Sequence, residues 1–193
     1  MAEARPSIDG PSEFPAIFYG TVRAIDSFSD VIGKIVCLGM LFLVFSISYE
    51  CFARYLFNAP TIWVFETNYM VNGSTFMLGC AYALLKGAHV RTDIFWDSFT
   101  ERKKGLIDFW SYLILFYPTM IVFFVISADD AWFAYQLGER SEQTPWRPLL
   151  WPFRAAVPTM ALLMMIQGVS ETLKSWYQIR TGREFEHREK VEV

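Results

Sequence analysis

The sequence predicts an all-α integral membrane protein of four transmembrane helices, with an N-terminal amphipathic interfacial helix and both termini in the cytoplasm. Two observations carry this. Four long apolar stretches, roughly Val31–Tyr49, Trp63–Leu85, Leu106–Ile126 and Ala155–Trp176, are separated by short polar segments. Each approaches the ~20 residues that span a ~30 Å hydrocarbon core, where a backbone must satisfy its own hydrogen bonds and is therefore helical. The second observation is the distribution of charge. Of the 17 Lys and Arg, 13 fall in the N-terminal, the central and the C-terminal polar segments. Only Arg54, Arg140, Arg147 and Arg154 fall in the two alternate segments, and a Lys/Arg excess marks the cytoplasmic side. Trp63, Trp132, Trp146 and Trp151 then lie near the outer boundary and Trp96 and Trp176 near the inner one, as an aromatic belt would.

The domain plan follows. Residues 1–30 form a polar tail and an amphipathic surface helix, in which Phe14, Phe18, Val22, Ile25 and Phe28 recur at helical spacing while Arg23, Asp26 and Asp30 lie off the stripe. Residues 31–177 form the transmembrane domain, with spans at about 31–52, 63–86, 106–137 and 155–177. Residues 178–193 are a charged cytoplasmic tail. Asn58-Ala59-Pro60 predicts a tight outer turn, because Pro60 forces its predecessor away from helix. Gly87–Lys104 carries Val90, Ile94, Phe95 and Phe99 among charges, which suggests a second interfacial helix. The third helix is expected to run beyond the lipid to Gly138, with a kink at Pro118 and with Asp129 and Asp130 at the outer boundary. Three prolines make Glu139–Arg154 a rigid, irregular connection. Pro158 is expected in the undemanding first turn of the fourth helix. No signal peptide is evident, and Cys37, Cys51 and Cys80 show no pairing or metal-binding spacing.

The membrane segments carry little that could do chemistry. Lys34, Glu50, Glu66 and Glu171 all lie near span ends, where a charge reaches water far more cheaply than at mid-bilayer. Glu50 and Arg54 are four apart and can pair; the alternative is contact with a partner subunit. Glu66 complements the positive end of a helix dipole, or bridges to Arg54 or to a partner chain. The second span has the one organised face: Asn68, Asn72, Thr75, Gly79, Ala83 and Gly87 form a small and polar stripe that allows close backbone approach. It packs either within this chain's own bundle or against another subunit. His89, Arg91 and Asp93 make a small polar cluster at the inner edge, read as solvated charge against a weaker enzymatic reading. Asn58, Glu50, Arg54, Glu66, His89 and Asp93 are candidate interface polar residues. No catalytic, metal or cofactor site is expected in this chain, and no nucleic-acid partner.

Two segments resemble the small membrane subunit (the Q-type small permease) of tripartite ATP-independent periplasmic (TRAP) transporters. RYLFNAPTIWVFE (Arg54–Glu66) is similar to that family's first outer loop, and FMLGCAYALLKGAHVRTD (Phe76–Asp93) to the motif that follows its second span. Trp151-Pro152-Phe153-Arg154 followed by Val157-Pro158 resembles its approach to the fourth span. The resemblance covers about Val31 to Tyr177. It implies a non-catalytic scaffold in a sodium-driven, binding-protein-dependent secondary transporter of the inner membrane. The partners would be a large membrane transport subunit that carries an organic acid and sodium, a periplasmic substrate-binding protein, and membrane lipids. Arg140 and Arg147 would help to dock the binding protein. The alternatives are a membrane anchor of a redox complex, which would need haem or quinone ligands, and a small lipid-modifying membrane enzyme.

Overall fold

A computed structural model describes residues 15–87, 100–182 and 185. Its helices are α1 (Ala16–Leu56), α2 (Val64–Leu85), α3 (Glu101–Ser111), α4 (Tyr117–Leu137) and α5 (Trp151–Thr181). A π-helical turn, Tyr112–Phe116, joins α3 to α4 without a break. Ile17–Leu56, Arg102–Leu137 and Trp151–Thr181 are each long and apolar enough to cross a membrane. α2 has 22 residues, ~33 Å of helix, which is length enough; Asn68, Asn72, Ser74 and Thr75 keep it from holding an 18-residue window as apolar as those of the other three.

α1 corrects one expectation. The amphipathic stretch and the first span are not two elements but one 41-residue helix, ~62 Å long and about twice a hydrocarbon core. No proline interrupts it between Ala16 and Leu56. Part of the apolar stripe is turned against the C-terminal end of α5: Val22 is fully buried and the Phe18 and Tyr177 rings stack at 6.4 Å, while Phe28 stays 48% exposed. Phe14 lies outside the described residues, as does the expected second interfacial helix around Val90 to Phe99. At its far end α1 stops where Asn58 takes φ 51° ahead of Pro60, and the Ala59 amide closes onto the Ala53 carbonyl at 3.0 Å.

Pro118 acts through the ladder. Lacking an N–H, it cannot serve the carbonyl four residues back. The chain widens by one residue at this point, the Tyr117 amide donating to the Tyr112 carbonyl. Gly138, in the left-handed conformation at φ 60°, ends α4 where the sequence places the stop. α5 starts four residues earlier than expected, with Pro152 in its first turn. Pro158 is therefore eight residues into the helix rather than in its first turn, and it leaves the Arg154 carbonyl without its usual donor.

The helices form a row. α2 packs between α1 and α5, and α5 packs in turn on the α3–α4 rod. The rod has no extended contact with α1 or α2, and α1 reaches α5 along a shorter line. Half of α5's apolar window is buried and none of the rod's. The shared core is small: Ala81 and Leu84 of α2 meet Met160, Leu163 and Met164 of α5, with Phe116 and Met120 of the rod packed against them. The row leaves two broad apolar faces, on which Ile35, Leu38, Phe45, Leu115, Val122 and Ile126 are more than half exposed.

Candidate subunit-packing site

The seam between α1 and α2 is built from small residues that let the backbones close up. A Cβ on Gly39 would lie 2.9 Å from the Thr75 hydroxyl, and one on Gly33 would collide with the Tyr82 ring. Ser46 donates to the Asn68 side-chain oxygen at 2.5 Å, and Thr75 returns its own hydroxyl to the Val71 carbonyl at 2.7 Å. The expected stripe on α2 thus divides. Asn68, Thr75 and Gly79 face α1 of the same chain; Gly79 sits within ordinary reach of Val36, at 3.7 Å. Ala83 is half-buried. Gly87, at φ 67°, ends the helix and is not a packing position, because its backbone has left the helical line. Asn72 is exposed.

At the end of the row that carries the chain termini, α1 and α5 share a polar network that sequence reasoning missed. Lys174 lies 2.8 Å from Asp26 and 3.0 Å from Glu171. Ser170 donates to Asp26 at 2.6 Å, Gln167 donates to the same oxygen at 3.1 Å, and Ser29 donates to Gln167 at 2.7 Å. Gln167 and Ser170 are fully buried, and Ser29 and Glu171 nearly so. Two carboxylates thus share one ammonium, with the remaining lone pairs met by hydroxyl and amide donors. Such a network is stable only when every member is present.

At the opposite end, the 139–150 connection folds over the start of α2. Its two strands of chain close through Ser141 N to Pro148 O and Leu150 N to Glu139 O, both at 2.9 Å. Arg154 ties it down by 2.7 Å contacts to both Asp130 and Glu139. Glu66, 1% exposed, accepts a 3.0 Å hydrogen bond from the Ser141 hydroxyl, while its second oxygen is buried with no donor among the described residues. Glu66 therefore meets neither Arg54 nor an exposed surface but this loop. Arg54 pairs with Glu50 at 2.6 Å, four residues back, and Glu50 also accepts from the Thr61 backbone amide at 3.2 Å and from its hydroxyl. Glu50 thus ties α1 to the turn that leads into α2, and Asn58 supplies that turn's positive φ. Arg140 and Arg147 are exposed on the connection; the Arg140 guanidinium donates to the Arg147 carbonyl at 3.3 Å, and Arg147 approaches Glu142 at 3.9 Å. His89 and Asp93 lie outside the described residues, as does Arg91.

Between the rod, the end of α2 and α5, a groove of about 400 Å³ opens, lined by Leu84, Asp108, Ser111, Tyr112, Leu115, Phe116 and Met164. The arrangement as a whole is that of a helical membrane component whose buried polar groups join its own helices to one another. Residues 43–178 match the family of tripartite ATP-independent periplasmic transporters, DctQ component, and the chain belongs to it. It is thus the small inner-membrane component of a system that also has a large membrane subunit and a periplasmic binding protein. No curated protein and no solved structure matches the chain. The match favours neither a redox-complex anchor nor a lipid-modifying enzyme.

Proposed function

We propose that this chain is the non-catalytic scaffold of a sodium-driven, binding-protein-dependent importer of an organic acid. It braces the large subunit, which carries substrate and sodium, and contributes to the periplasmic docking surface. Both termini lie in the cytoplasm and α2 crosses as the fourth span, in keeping with the Lys/Arg distribution. The observation that carries the reading is the open row. A self-sufficient bundle would close its helices around a core, whereas here no residue of the rod's apolar window is fully buried within the chain. In a bilayer that surface must be met by lipid or by another membrane protein, and a wide rigid face is what a brace needs.

The inner network and the outer connection support the same reading, since each locks neighbouring helices at one end of the row. The test is purification in mild detergent of the chain co-expressed with the large subunit: the two should elute as one complex. Elution of this chain alone, folded and stable, would oppose the scaffold role. Reporter fusions should read as cytoplasmic after Lys104 and after Val193 and as periplasmic at Ser141; any other pattern would refute the orientation.

A further inference from the structure

The outward side of α2 carries a polar side chain that has no hydrogen-bond partner among the described residues. Phe65, Tyr69, Asn72 and Phe76 recur at spacings of four, three and four, and all are exposed, the three aromatic residues by 64%, 53% and 65%. They form the third side of a helix whose other two sides are occupied, by α1 at Asn68, Thr75 and Gly79, and by α5 at Gly73, where a Cβ would meet the Phe153 ring at 2.6 Å. The Asn72 side chain makes no hydrogen bond among the described residues.

Its depth makes this consequential. Asn72 is eight residues into α2, ~12 Å from that end and ~20 Å from the other, and a side chain of two carbons cannot reach either interface. Exposed hydroxyls elsewhere solve the problem on their own helix: Ser48, Thr119 and Ser127 each donate to the carbonyl four residues back, at 2.7 to 2.8 Å. A primary amide brings two N–H donors and a carbonyl, and left bare in hydrocarbon it costs several kcal/mol.

We infer that the Phe65–Tyr69–Asn72–Phe76 face of α2 docks against a transmembrane helix of the large subunit that presents a hydrogen-bonding side chain or an opened backbone carbonyl opposite Asn72. The inference rests on the scaffold reading above and adds which face of the row is covered. Lipid tails are excluded as the occupant of this position because they offer no donor or acceptor. The aromatic neighbours supply contact area on either side of the polar anchor, and they keep water from the hydrogen bond.

The test is site-specific photo-crosslinking in membranes that contain both membrane subunits. A benzophenone side chain is placed at Asn72 in one variant and at Ile126, on the exposed side of α4, in another. Capture of the large subunit from Asn72 is expected. In parallel, Asn72→Leu should lower the large subunit retained on the purified chain by about three- to twenty-fold, the range seen for single interhelical hydrogen bonds, whereas Asn72→Gln should largely preserve it. Capture of only lipid or a second copy from Asn72, with the large subunit captured from Ile126, would overturn this face while leaving the scaffold intact. Capture of the large subunit from neither position would overturn both.

Discussion

Ser141, on the connection between α4 and α5, donates a 3.0 Å hydrogen bond to Glu66, 75 residues earlier in the first turn of α2. That bond is buried, and it fixes the 139–150 connection against the helix that holds the row together. A buried hydrogen bond contributes about 0.5–1.5 kcal/mol, and removing its donor leaves the acceptor oxygen unsatisfied at about 1–3 kcal/mol. Ser141→Ala should therefore lower the thermal midpoint of the detergent-solubilised protein and raise proteolysis within 139–150. Glu66→Gln keeps an acceptor oxygen of the same shape for the Ser141 hydroxyl, so it should leave the midpoint nearly unchanged. A large loss in Glu66→Gln with none in Ser141→Ala would refute the clamp.

The network at the other end predicts a different hierarchy. Lys174 is the shared cation of Asp26 and Glu171. Lys174→Met would leave the buried Glu171 and the part-buried Asp26 facing each other without a cation, at a cost of about 3–5 kcal/mol. The variant should accumulate poorly in the membrane. Asp26→Asn combined with Lys174→Met removes one charge of each sign and should recover part of the loss, measured as membrane-inserted protein. Equal accumulation of the single and double variants would contradict the shared-cation account.

The glycines separate by what stands opposite them. A Cβ on Gly79 meets only Val36, at 3.7 Å, so Gly79→Ala should be tolerated. A Cβ on Gly105 would lie 3.0 Å from the Ser175 carbonyl and 3.1 Å from the Ile179 amide, both backbone atoms that cannot swing aside. Gly105→Ala should destabilise the α3–α5 contact by about 1–3 kcal/mol, the range for overpacking. Thermal midpoints of the two variants test this, and a larger loss at Gly79 than at Gly105 would reverse the packing assignment.

Arg140 and Arg147 are exposed on the connection that we place in the periplasm. Charges at the rim of an interface act mainly on encounter rate and salt dependence. Reversing both to Glu should slow uptake when the binding protein is limiting and flatten the dependence on salt, while the two membrane subunits still co-purify. Unchanged kinetics would remove these residues from the docking surface.

The sequence made these helix ends legible because they rest on local chemistry: Pro60 and Asn58 after α1 and Gly138 after α4. It misplaced the start of α5 because Arg154 reads as a loop charge until Asp130 and Glu139 are seen beside it. It divided α1 in two because an amphipathic stripe leading into an apolar run does not say whether membrane surface or another helix will cover it; here the cover is α5. The buried network had a signal that was available. Gln167, Ser170, Glu171 and Lys174 lie on one side of an apolar helix, and Asp26 and Ser29 lie on one side of another. Each group alone looks like a solvated span end. Their pairing is a tertiary fact, set by the antiparallel course of α1 and α5. The α2 stripe likewise could not be divided between α1 and the outside until the position of α1 around it was known.

The central claim is that this chain braces a transporter and moves nothing by itself. It is tested most directly by sodium-driven uptake into proteoliposomes given the binding protein and three membrane preparations: this chain alone, the large subunit alone, and both. The account predicts no uptake with this chain alone, weak uptake with the large subunit alone, and full uptake only with both. Uptake by this chain alone, or full uptake by the large subunit without it, would contradict the claim.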